Sequence, residues 1–96
     1  DRVLANLCLG AASTELARWD DARDAFLAAR EGTPAAEPRP RARFATMAGN
    51  AAFEGARQEE ALALLTLGRE DARVASDATL EAIAAIDSAR VLVALA

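Results

Sequence analysis

A chain of 96 residues suits one small domain. Its apolar fraction is 53%, but 27 of those residues are alanine, which favours helix and buries little area, so a thin single core is disfavoured against a stack of helix pairs. The net charge of −4 and sequence pI near 4.7 lack the basic footprint of a nucleic-acid-binding domain.

The apolar spacing predicts a first helix over about Arg2–Leu16, with Val3, Leu4, Leu7, Cys8 and Ala11 on its inner side. A second is expected over about Asp20–Arg30. Asp20 and Asp21 suit its positive N-terminus and Arg30 its C-terminal turn. Trp19, Ala22, Phe26 and Ala29 repeat there at helical spacing, and Gly32 and Pro34 stop it. Residues 32–40, "GTPAAEPRP", form the only linker and hold all three prolines. Pro38 or Pro40 is tolerated in the first turn of a third helix ending near Glu54, before Gly55. A fourth helix spans about Gln58–Arg73, with Ala61, Leu62, Leu64 and Leu65 on its apolar side. Ser76 or Asp77 caps a fifth that runs to the end. No strand is expected, because alternation is absent. The expected fold is all-α.

The helices repeat. Asn6-x2-Leu9-Gly10-x2-Ser13 is followed by Ala22-x3-Phe26 and Pro34; Ala45-x2-Ala48-Gly49-x2-Ala52 is followed by Ala61-x3-Leu65. The period is thirty-nine residues. Small residues at Gly10, Gly49, Ala22 and Ala61 let paired helices touch, and Phe26 and Leu65 fill the gap to the next pair. A third first-helix, Ile86-x2-Ala89-Arg90-x2-Val93, follows at a period near forty-one, with Arg90 where a small residue is expected. This skeleton resembles the tetratricopeptide pattern W-x2-L-G-x2-Y, A-x3-F, P, without its tryptophan and tyrosine. The resemblance covers residues 3–73 and is closest to the degenerate repeats, near forty residues long, of large bacterial signalling and transcription regulators. It implies a short right-handed solenoid: repeat 1 over about 3–34, repeat 2 over about 40–74, and the first helix of a third over about 77–96.

Catalysis is poorly supported, and no enzyme is expected. The chain has no histidine, so a serine or cysteine nucleophile lacks its usual base. Cys8, the only cysteine, reads as a small core residue. Asp20/Asp21, Glu59/Glu60 and Glu70/Asp71 read as solvated helix termini, because adjacent helix residues point apart. Neither a metal site nor a cofactor cradle is apparent. The run Arg39, Arg41, Arg43 reads as a solvated helix start. The run "VLVALA" is too short to cross a membrane. All eleven basic residues are arginine, the mark of a GC-rich bacterial genome. Starting at Asp1 without a signal peptide, and ending inside an apolar pattern, the chain reads as a fragment of a cytoplasmic protein.

The resemblance implies a concave face lined by the first helix of each pair. Counting from Gly10, Gly49 and Arg90, that face receives Leu7, Ala11 and Thr14, then Arg43, Thr46, Asn50 and Phe53, then Asp87 and Val91. The chief groove residues are Arg43, Thr46, Asn50, Phe53 and Asp87. Asn50 can donate and accept, which suits a peptide backbone. The fifth helix is apolar nearly all round and should be buried on more than one side. Its natural cover is the second helix of a third repeat. A homodimer through Leu80, Ile83, Ile86, Val93 and Leu95 is the other expectation. The expected function is a protein–protein interaction scaffold that binds a peptide or a neighbouring domain. The alternative is an effector-sensing segment of a transcription activator.

Overall fold

The computed structural model describes all residues, Asp1–Ala96, as five α-helices with no strand. They are α1 (Arg2–Glu15), α2 (Trp19–Glu31), α3 (Pro38–Glu54), α4 (Gln58–Val74) and α5 (Ala78–Leu95). Local chemistry sets their starts. The Asp1 carboxylate accepts from the Val3 and Leu4 amides, and Asp77 accepts from the Leu80 amide at 3.0 Å. Pro38 opens α3, where its missing N–H costs nothing. α2 and α4 have no side-chain cap; Asp20 and Asp21, and Glu59 and Glu60, sit in their first turns instead.

Three of the four connections are one turn used three times. Ala17, Ala56 and Ser76 adopt positive φ of 54°, 62° and 53°. The amides that follow, at Arg18, Arg57 and Asp77, donate back to the carbonyls of Ser13, Ala52 and Ala72 at 2.8, 2.8 and 3.0 Å. This bonding satisfies the last free carbonyls of each helix. Gly55 does not occupy the left-handed position: its φ is −81°, and Ala56 takes that role. The fourth connection, 32–37, closes by a bond from the Glu37 amide to the Pro34 carbonyl.

Each helix packs on its sequence neighbours, and α3 also touches α5. The Cα envelope is only 16 Å thin in its shortest dimension, the depth of two helix layers at ordinary spacing. α1, α3 and α5 form one layer; α2 and α4 form the other, tied by Arg30–Asp71 at 2.8 Å and Arg23–Glu60 at 3.0 Å. The core joins Ala22, Phe26, Ala48, Ala51, Ala52, Ala61, Leu64, Leu65 and Val91. Gly10, Ala22, Phe26, Gly49, Ala61 and Leu65 are all buried, as the small-residue pattern predicts. A methyl on Gly10 would come within 2.5 Å of the Phe26 ring, and one on Gly49 within 2.8 Å of Leu65 Cγ. Phe26 and Leu65 therefore fill the space over the glycine of their own pair.

Three expectations need correcting. Cys8 is exposed, with Leu4 and Ala11. α1 has only α2 to lean on, and it turns Gly10 and Ser13 inward. α5 is not buried on several sides: only Ala84, Ser88 and Val91 are fully buried. The third copy is also out of register by one residue. The N-caps Glu37 and Asp77 lie forty apart. Arg41 reaches the carbonyls at the end of α2, and Glu81, forty residues on, pairs with Arg73 at the end of α4. Buried Phe44, Ala48 and Ala51 likewise become buried Ala84, Ser88 and Val91. Gly49 thus corresponds to Ala89, a small residue, and not to exposed Arg90.

Candidate functional site: a cleft between the first three helices

α1, α2 and α3 enclose a cleft of about 390 Å³. Trp19 and Phe26 of α2 form its floor. Thr14 of α1 closes one side, and Met47, Asn50 and Glu54 of α3 close the other. Met47, Asn50 and Glu54 share a wall because spacings of three and four residues put them on one helical face. The Thr14 hydroxyl donates to the Gly10 carbonyl at 2.8 Å. Glu54 is exposed and has no ion-pair partner.

The expected groove residues divide. Asn50 lines the cleft, and one N–H of its amide donates to Asp87 Oδ2 at 3.0 Å, which leaves its carbonyl and its second N–H for a ligand. Thr14 lines it too. Phe53 does not: half-buried, it packs on the core, with the Arg90 guanidinium 5.4 Å from its ring centroid. Asp87 holds Asn50 on one side and Arg90 on the other. Asn50, Phe53, Asp87 and Arg90 therefore meet in a seam between α3 and α5. Thr46 faces α4, where a methyl on Gly68 would lie 2.6 Å from its hydroxyl oxygen. Val91 is buried and Leu7 packs on the core. Arg43 and Ala11 are exposed. Met47 and Glu54 were hidden from the counting scheme because it stepped from the glycines. Stepping three back and four on from Asn50 finds both.

The charged runs are structural. Arg39 pairs with Asp77 at 3.0 Å, and Arg41 donates to the Thr33 and Arg30 carbonyls at 2.7 and 3.2 Å. The acidic pairs are not merely solvated helix termini. Asp71 takes two bonds from the nearly buried Arg30, and Asp20 takes two from Arg57, at 2.7 and 2.8 Å. The Arg57 bonds hold the Asp20 carboxyl below its ordinary pKa, and the Asp71 bonds raise that of Arg30. On α5, Leu80 is half-buried, whereas Ile83, Ile86, Val93 and Leu95 are exposed. No group of His, Cys, Asp and Glu is arranged to hold a metal ion, and no helix is long and apolar enough to cross a membrane. The chain matches no protein-family model, no curated protein and no solved structure.

Proposed function

We propose that this chain is a non-catalytic interaction segment of a larger bacterial protein, its helix pairs stacked as a short tetratricopeptide-like solenoid. The cleft receives an apolar side chain from a peptide or a neighbouring domain. The observation that carries this is the cleft itself. Its floor is aromatic, its volume lies at the small end of the range for ligand sites, and its rim offers the Asn50 carbonyl to a backbone N–H. The recurrence of glycine, turn and helix start at thirty-nine residues supports the stacked-pair architecture. Unpaired Glu54 favours a basic residue beside the inserted side chain.

A peptide library displayed on phage tests the proposal. Enriched peptides should carry a Leu, Met or Phe next to an Arg or Lys. They should bind the wild-type chain and lose affinity by about tenfold or more for Met47→Glu, which places a charge against an apolar ligand. Met47 is exposed, so this substitution leaves the fold intact. Peptides that bind both chains equally, or that shift only amide signals on the outer faces of α2 and α4, would overturn the groove assignment.

A further inference from the structure

We infer that the outer face of α5, with the edge of α4 beside it, is a docking surface for one helix of a partner polypeptide. That helix carries an arginine at its N-terminus, alanine four residues on, leucine or phenylalanine eight on, and a carboxylate fourteen on. The register of the repeat identifies the surface. Ala42, Ala45, Thr46, Gly49 and Ala52 form the face of α3 that α4 covers. Forty residues later the same positions are Ala82, Ala85, Ile86, Ala89 and Leu92 on α5. On α3 these residues are buried or half-buried; on α5 Ile86 is 63% and Leu92 53% exposed, and nothing in the chain covers them.

Charge says what belongs there. On α2, Asp20 binds Arg57 at the start of α4, and Arg30 binds Asp71 near its end. Thirty-nine residues on, α4 presents Glu59 and Arg69 at the same places. Neither has an ion-pair partner, and Arg69 Nε is buried with no hydrogen bond. A helix lying on α5 as α4 lies on α3 would stand beside α4 as α4 stands beside α2. Its first residue would meet Glu59, and its last turns would meet Arg69. The required pattern is therefore that of α4 itself: Arg57, Ala61, Leu65, Asp71. A second copy is a poor source, because the α4 face that carries this pattern is packed within each chain, with Ala61 and Leu65 buried and Asp71 bound to Arg30.

The test uses the whole chain and a synthetic peptide copying Arg57–Val74, followed by amide and arginine side-chain NMR. Signals of Ala82, Ala85, Ala89 and Leu92 should shift on titration, together with the Arg69 Nε–H. Leu92→Glu, at an exposed position, should weaken binding about tenfold or more. Reversing the peptide charge by Asp71→Arg should weaken it roughly threefold or more, and Arg69→Asp in the chain should restore it. Three results would overturn the inference. One is an absence of shifts on α5. Another is shifts confined to α3, meaning that the peptide has exchanged with α4. The third is a dimer by sedimentation at NMR concentration whose contact covers Ile86 and Leu92.

Discussion

Phe26 is 4% exposed, and its ring lies over Gly10. Truncation to alanine should cost about 3–5 kcal/mol, the usual range for a buried aromatic. A loss below about 1 kcal/mol in chemical denaturation would place the ring outside the core. The two crossing glycines should not behave alike. At Gly10 the three atoms nearest a methyl all belong to the Phe26 side chain, whose ring borders the open cleft and has room to shift toward it. At Gly49 a methyl meets Leu65 Cγ at 2.8 Å and the Leu65 backbone nitrogen at 3.2 Å, which cannot move without bending α4. Gly49→Ala should therefore cost about 1–3 kcal/mol, and Gly10→Ala less. Ala56→Gly should do the opposite. A left-handed alanine costs about 1–2 kcal/mol, and glycine gives back roughly 0.5–1 kcal/mol of that in unfolded-state entropy. The variant should unfold at higher denaturant with an unchanged slope. These packing positions were legible in the sequence because sterics at a close crossing admit few residues. The left-handed turns were not, because alanine and serine give no signal where glycine would.

At the scale of the helix, caps and cross-layer ion pairs decide register. Asp77 accepts from the Leu80 amide and pairs with Arg39, and the Leu80 bond is the chief cause of its depressed pKa. The folded pKa lies below the ordinary 3.8, so the contribution is complete above that value and is lost as pH falls through the folded one. Asp77→Asn keeps a capping side chain but removes the charge. It should lower stability at neutral pH and flatten the acid limb of a stability–pH curve. A limb as steep as wild type would mean that other carboxylates dominate. In the other layer, Asp71→Ala leaves Arg30 nearly buried with one weaker partner, Glu31. A loss of about 2 kcal/mol is expected, as for a charged hydrogen bond. The five helices were legible from proline, glycine and apolar spacing. The role of Asp71 was not, because a carboxylate forty-one positions from its arginine leaves no local pattern. The register of α5 was misjudged for a related reason. Alanine sits at three of its five outer positions and at one of its three buried ones, so composition could not tell its faces apart.

For the whole molecule, the decisive property is that each helix leans only on near neighbours. The core cluster draws on α2, α3 and α4, takes only Val91 from α5, and takes no fully buried member from α1. α1 and its C-cap leave Leu4, Leu9 and Leu16 in solvent, and α5 leaves Ile86, Leu92 and Val93 there. If the helix pairs stack as proposed, stability is a sum of local and nearest-neighbour contributions, and the ends open before the middle. Native-state amide exchange should therefore be graded. Amides of α1 should exchange first, through fraying against α2 alone. Those of α5 should follow, because α4 and the Asn50–Asp87 seam both hold it. Amides of α3 and α4 should exchange last, near the free energy of global unfolding. Asn50→Ala sharpens the test: it removes one tie between α3 and α5 and should speed exchange in α5 while leaving α1 unchanged. If all five helices exchanged with one common free energy, the molecule would be a single cooperative bundle. The stacked-pair architecture would then be wrong, and with it the docking of a further helix on α5.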